Sequence, residues 1–96
     1  MGTTVADVRG WLYGRLDGLP AVVAAYLTVR SDDDHFMHFC TLLERRDSTA
    51  ESAIVKLESE MEKSHPALRF DFTTIHLLGR DRAQFIPPEA HFVKTA

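Results

Sequence analysis

The sequence has one cysteine and no excess of basic charge, and each shortage limits what the protein can be. A single cysteine cannot close an internal disulfide, so a reducing, cytoplasmic environment is expected. The formal net charge is −3, whereas non-specific binding to nucleic acid or to anionic lipid needs a basic surface. Neither a nucleic acid nor a membrane is therefore an expected partner.

Long apolar runs and phosphate-binding glycine loops are also missing from the sequence. No apolar run approaches the roughly 18 residues that span a bilayer, and the N-terminal MGTTVADVRG lacks the features of a secretory signal. The five glycines match neither common phosphate-loop spacing. No serine lies in a hydrolase-type elbow. The sequence thus predicts no cofactor.

The composition is that of one soluble globular domain covering residues 1–96. Hydrophobic residues make up 45% and charged residues 26% of the chain, which is ordinary for such proteins. Residues 3–20 are predicted to contain a first helix, with Thr3 or Thr4 as its cap. Its apolar positions recur at helical spacing: Val5, Val8, Leu12 and Leu16.

Two strands, 21–30 and 35–44, are predicted to form an antiparallel hairpin around an acidic turn. In the first strand the odd-numbered residues are all apolar, so we expect them to face the core. In the second strand, His35 lies on the same face as Phe39, and His38 lies on the opposite face with Cys40. Each face should therefore hold only part of this chemically rich segment.

An acidic helix is predicted next, because Ser48 and Glu51 match the capping box and an apolar stripe follows. Residues 68–78 read as a third strand. Pro87 and Pro88 exclude a central strand in the tail, 83–96, although residues 91–94 could form a short edge strand. The order α-β-β-α-β plus a short C-terminal segment predicts an α+β fold: a two-layer sandwich with both helices on one face of a small, mostly antiparallel sheet.

The segment SDDDHFMHFC, 31–40, is the strongest candidate for a metal or catalytic site. Residues three apart on a strand point to opposite sides, so His35 and His38 cannot easily bind one ion. His38 and Cys40 share a face, and His76 could join them, but zinc sites use three or four protein ligands. A calcium loop starting at Asp32 would need glycine and glutamate where Met37 and Leu43 stand. Neither a metal site nor a catalytic residue is predicted.

The order of these elements resembles the C-terminal domain of the SseB (enhanced serine sensitivity protein) family. The likeness rests on VVAAYLTV, HFMHFCTLLE and FDFTTIHL, with an acidic helix between the last two and a tail, FIPPEAHFVK, that contains proline and aromatic residues. It extends over residues 4–94, although the tail has Phe92-Val93-Lys94 where a phenylalanine-tyrosine-lysine ending is expected. The resemblance implies a small accessory or interaction domain and carries over no catalytic residue.

Both predicted helices cover one face of the sheet, so the other face is expected to lack a cover within the chain. Exposed apolar patches usually mark an interaction surface. We therefore expect a non-catalytic assembly module that binds a second copy or another protein. The alternative is a small-ligand or regulatory sensor with a pocket at the sheet, and an enzyme ranks last. The candidate interface or pocket residues are Tyr26, His38, Cys40 and His76.

Overall fold

The computed structural model describes residues 5–30, 32–33 and 35–95, which form two helices, four strands and one 3₁₀ turn. In chain order these are α1 (Val5–Asp17), β1 (Val22–Val29), β2 (Phe36–Leu43), α2 (Ser48–Ser64), β3 (Arg69–His76), the 3₁₀ turn (Arg82–Phe85) and β4 (His91–Thr95). The predicted order is confirmed, and the tail supplies an edge strand. The expected cap at Thr3 or Thr4, and residues 31 and 34 of the acidic turn, lie outside the described residues.

The four strands form one sheet in the order β3-β2-β1-β4. β1 runs antiparallel to both of its neighbours, whereas β3 runs parallel to β2. Parallel neighbours need a crossover connection, which α2 provides. The predicted mostly antiparallel α+β architecture is thus confirmed, and the parallel β2–β3 pair resolves the strand order that the sequence left open.

Both helices pack on one face of the sheet, as predicted. α1 contributes Val8, Leu12 and Leu16 to this helix-side core, and α2 contributes Ala50, Ile54, Leu57 and Met61. Burying a large aliphatic or aromatic side chain contributes about 1.5–3 kcal/mol, so this layer is a major source of stability. In the described part of the chain, no helix has the length and apolar character needed to cross a membrane.

The N-terminus of α2 differs in detail from the predicted capping box. The cap is Asp47, whose Oδ1 accepts a hydrogen bond from Ala50 N at 3.0 Å, and Ser48 is already the first helical residue. Glu51 still closes the box, because its Oε2 accepts from Asp47 N at 3.2 Å. Aspartate and serine are comparable caps, and the extended backbone at Asp47 places the helix start one residue earlier than expected.

A β-bulge changes which residues of β1 face the helices. The register with β2 shifts between Val22 and Ala24, so Val22 lies in the helix-side core and Val23 packs on the opposite side. The expected alternation placed these two residues the other way round. It holds from Ala24 onward, because the irregularity is confined to the start of the strand.

The second face of the sheet is partly covered by the chain itself, contrary to expectation. Tyr26, Cys40 and other buried residues of this face pack against apolar side chains that follow β3: Phe85, Ile86 and Ala90. Two hydrogen bonds fasten this segment, since Tyr26 Oη donates to Phe85 O at 2.9 Å and Arg82 Nη1 donates to Val23 O at 3.1 Å. The prolines exclude a central strand there, but they do not prevent the segment from lying across the sheet.

A strained turn precedes the segment that covers the second face of the sheet. Leu78 and Gly79 have φ angles of 53° and 87°, and Arg80 N donates to Leu77 O at 3.0 Å. Positive φ at both central residues is the pattern of a type I′ turn, which favours Asn-Gly. Leu78 is 63% exposed, so its side chain gains little packing in return for the strained backbone.

We therefore expect Leu78→Asn to raise the free energy of unfolding by about 1 kcal/mol, because asparagine tolerates the left-handed region and leucine does not. Urea denaturation of the two proteins measures the change. Leu78→Ala is the matched control, since it keeps the Cβ that causes the strain and should give no such gain. A less stable Leu78→Asn protein would mean that the leucine side chain contributes packing.

Candidate functional site

The segment that carries the aspartates, histidines and cysteine runs into a strand, as the sequence predicted. β2 begins at Phe36, and its side chains alternate between two cores. Met37 and Phe39 lie beneath the helices, whereas Cys40 and Leu42 lie on the second face. His38 and Cys40 share the second face, whereas His35 precedes the strand and its Nδ1 lies 3.7 Å from Asp33 Oδ1, so these described polar groups do not converge on one point.

His38 lies on the second face, where it bonds to the neighbouring strand. Its Nε2 is 2.7 Å from Thr73 Oγ1 of β3, and the side chain is half-buried. This hydrogen bond crosses the parallel β2–β3 pair. His38 thus has a partner that accounts for its position without any ligand.

His76 lies on the helix-facing side, opposite to His38 and Cys40. Its Nε2 is 3.0 Å from Oε1 of Glu51, the same carboxylate whose Oε2 caps α2. One glutamate therefore links the end of β3 to the start of α2. The sheet separates His76 from the other candidates, so the four residues singled out from the sequence do not line one pocket.

Tyr26 and Cys40 are neighbours across β1 and β2 and are both buried, with exposures of 6% and 1%. Burial, and secondarily the neighbouring Cys40, raise the pKa of the Tyr26 hydroxyl above its ordinary value. Burial also raises the pKa of the Cys40 thiol, and the hydrogen bond with Tyr26 offsets this only in part. A thiol held neutral is a poor nucleophile, so the pair functions as core packing.

His65 is a buried histidine that the sequence reading did not single out. Its Nδ1 is 2.9 Å from Met61 O at the end of α2. Its ring contacts Trp11 edge-on at 5.4 Å and Phe70 at 6.0 Å between centroids. The only sequence signal was its place before Pro66, which marks a helix end but does not reveal the aromatic neighbours.

No group of three or more histidine, cysteine, aspartate or glutamate side chains within residues 5–30, 32–33 and 35–95 could hold a metal ion. Two concavities lie near the start of α2, and none of the four candidates lines either of them. One has a volume of about 310 Å³ and is lined by Pro20, Ala21, Val23 and residues 44–47. The other, about 210 Å³, shares Pro20, Ala21 and Asp47 with it.

The two outer strands of the sheet differ in how well their free edges are protected. β4 has five residues, and its pairing with β1 contains a bulge. Arg9 Nε also donates to Phe92 O at 2.8 Å, so a side chain of α1 occupies one backbone carbonyl of β4. Short length, bulges and covering groups are the usual means of blocking a sheet edge. The β4 edge is therefore a poor template for another strand.

Among the described residues, the β3 edge has such a device only at its C-terminal end, where Arg80 Nη2 donates to His76 O at 2.7 Å. β3 is eight residues long, contains no proline and pairs with β2 without a register shift. Arg69 N donates to His35 O at 2.7 Å and Leu77 N donates to Leu43 O at 2.8 Å. Because bonding directions alternate along a strand, the intervening even-numbered residues direct their backbone N–H and C=O groups outward. These residues are Phe70, Phe72, Thr74 and His76.

Aromatic side chains border this open edge on the helix side. Phe70 and Phe72 stack with their centroids 5.8 Å apart, and each remains half-buried. Phe72 also contacts Phe39 of the core edge-on at 6.4 Å. The edge therefore combines outward hydrogen-bonding groups with a partly exposed aromatic surface.

Loss of the Glu51 carboxylate should destabilise the fold, because it removes the hydrogen bonds to Asp47 and His76 together. We expect Glu51→Ala to lower the free energy of unfolding by about 1–3 kcal/mol. Glu60→Ala, on the same helix, should stay within about 0.5 kcal/mol of the native protein. A double-mutant cycle with His76→Ala measures the strand–helix link. A coupling energy of zero would show that the His76–Glu51 contact contributes nothing.

Stability should also fall at alkaline pH. Cys40 and Tyr26 have ordinary pKa values of 9.0 and 10.0, and the folded state raises both. The unfolded chain therefore loses these protons first, so the stabilisation is complete below about pH 9 and is lost above it. Each group contributes a slope of at most about 1.4 kcal/mol per pH unit. Urea denaturation between about pH 8 and pH 11 measures the slope, which Tyr26→Phe should reduce; an unchanged slope would contradict the assignment.

Comparison with known proteins adds no assignment. A scan of the chain against protein-family models gives no match. A search of curated proteins gives none either. The resemblance to the SseB C-terminal domain therefore stays an expectation drawn from the order and pattern of the elements.

Proposed function

We propose that this domain is a non-catalytic protein-interaction module that binds its partner at the free edge of β3. The observation that carries the proposal is the row of outward-facing backbone groups at Phe70, Phe72 and Thr74. An extended segment can add to such an edge as a further strand, with main-chain hydrogen bonds supplying affinity. The contrast with the blocked β4 edge supports β3 as the binding element.

The structural roles of the chemically reactive side chains also favour a binding module over an enzyme. His38 bonds to Thr73, His76 bonds to Glu51, and Cys40 is buried. Each has a partner or a packing role that accounts for its place in the fold. The resemblance to the SseB C-terminal domain, which implies an accessory or interaction domain, agrees with this proposal.

The second face of the sheet is a weaker candidate than the sequence suggested. The expectation of a homodimer there depended on Tyr26 being uncovered, and the segment after β3 covers it. The half-buried residues near the hairpin end of that face include Phe36 but also the polar Thr28, His38 and Thr73. Such a mixed surface offers less apolar area for association than a bare sheet face.

Selection from a displayed library of random peptides tests the proposal, followed by amide hydrogen exchange to map the binding position. Selected peptides should slow exchange at Phe70, Phe72 and Thr74, because their amides become hydrogen-bonded to the added strand. Protection confined to another surface, or a library that gives no binder, would contradict the proposal.

Two substitutions at Thr74 isolate the backbone contribution. Thr74→Pro removes an outward N–H and leaves the β2–β3 ladder intact, so binding should weaken by about tenfold or more. Thr74→Ala is the matched control, because both variants lose the hydroxyl that lies 3.1 Å from Thr41 Oγ1. Only the proline variant loses the amide. Equal affinity of the two variants would exclude strand addition at this edge.

A further inference from the structure

The side of α2 that looks toward β3 is acidic. Glu51, Val55, Glu58 and Glu62 follow one another at intervals of four, three and four residues, which places them on one side of a helix. The contact between Glu51 and His76 turns this side toward β3. Three of its four residues are glutamates, and none is basic. Any strand added to β3 would therefore lie beside a row of negative charge.

Two of these carboxylates have no cationic partner. Glu58 and Glu62 form no ion pair or side-chain hydrogen bond with any described residue, and Glu58 is half-buried. Burial, and secondarily the charge of Glu62, raise the pKa of the Glu58 carboxyl. Covering this surface with an apolar or acidic chain would leave the carboxylates further desolvated and unpaired, which is unfavourable.

Apolar groups lie beside the same edge. Val55 is 64% exposed on the acidic side of α2, and Phe70 and Phe72 are half-buried on β3. In an added strand, every second side chain would face the helix layer and meet both kinds of group. A complementary strand therefore needs basic and apolar side chains together at its helix-facing positions.

We infer that the natural occupant of the β3 edge is an extended basic segment of another protein, with lysine or arginine and aliphatic residues at its helix-facing positions. This inference rests on the proposed function, and it adds the chemistry of the partner. Main-chain hydrogen bonds to Phe70, Phe72 and Thr74 hold the segment, while Glu58 and Glu62 select its charge.

A second copy of this chain fits the edge less well. Pairing β3 with β3 of another copy about a two-fold axis would bring the two α2 helices to the same side of a continuous sheet. Their β3-facing sides would then approach each other, with Glu58 and Glu62 of one copy near those of the other. Like charges in such a contact are unfavourable, whereas a basic strand meets the same groups with opposite charge.

Synthetic peptides with the length of β3, eight residues, test the inference. In the first series, the side chains that would face the helices are alternately lysine and valine, and those on the opposite face of the sheet are threonine. Two matched series replace each lysine by glutamine or by glutamate. Dissociation constants for the full chain come from NMR titration, which also reports amide protection at β3. The lysine series should bind most tightly and the glutamate series least, and the difference should shrink as salt is added.

Variants of α2 distinguish a specific effect of the β3-facing glutamates from a general attraction between the acidic protein and a basic peptide. Glu58→Gln with Glu62→Gln should weaken binding of the lysine series by about fivefold or more. Glu60→Gln removes the same kind of charge from the α1-facing side of the helix, where Glu60 lies near Arg15 and Leu19. It should leave the affinity almost unchanged. Denaturation curves of all variants confirm that each is folded.

The outcomes distinguish the inference from the proposed function. If all three series bound equally, or if Glu60→Gln weakened binding as much as the double variant, the inference of a basic partner would be wrong. Amide protection at β3 in the same experiments would still support the proposed interaction edge. Absence of β3 protection with every peptide would overturn both. If the β3 amides became protected as the protein concentration rose, without any peptide, the edge would bind a second copy and the inference of a basic partner would be wrong.

Discussion

Burial on both sides of the β1–β2 hairpin is the constraint on which the structure depends. Phe39 and Leu27 lie beneath two helices, while Cys40 and Tyr26 on the reverse side lie beneath the segment that follows β3. A strand buried on both faces has little freedom to shift its register, because a one-residue slip exchanges its two sets of side chains. The arrangement of the outer strands follows from this fixed centre.

The same constraint helps to explain why the described residues of the segment rich in histidine, aspartate and cysteine form no metal-binding cluster. Alternation sends Met37 and Phe39 into the helix-side core and leaves His38 and Cys40 on the second face, where each has a separate partner. His38 bonds to Thr73 across the parallel pair, and Cys40 packs against Tyr26. The side chains that would form a site if brought together instead stabilise separate regions of the sheet.

The two edges of the sheet are asymmetric, and only one of them is interrupted along its length. At β4, a bulge and the Arg9 side chain interrupt the backbone pattern, whereas β3 keeps a regular run beside Phe70 and Phe72. The acidic side of α2 adds charge to the open edge. A protein that leaves such an edge open risks unspecific pairing, and charged side chains beside an edge are one of the means that limit this risk.

Features that depend on local pattern could be predicted from the sequence. Helical spacing identified α2, alternation identified the hairpin, and the composition of residues 68–78 identified β3. The two-layer arrangement followed because both helices carry one apolar stripe each. The placement of His38 and Cys40 on one face of β2 follows from the two-residue period of a strand, whereas His35, expected in that strand, lies in the turn before it.

Features that depend on contacts between distant residues could not be predicted in this way. The bulge at Val22 reversed two side chains, Asp47 replaced Ser48 as the cap, and the tail covered Tyr26. In each case local propensity allows more than one solution, and packing against a distant element selects among them.

The sequence by itself determined the type and order of the elements and the scattering of the β2 side chains, because these follow from the periods of helices and strands. Only the tertiary structure decided that β3 lies at an open edge beside the acidic side of α2. That placement depends on strand order and on the covering of the second face. Both arise from contacts between residues far apart in the chain, which no local pattern encodes.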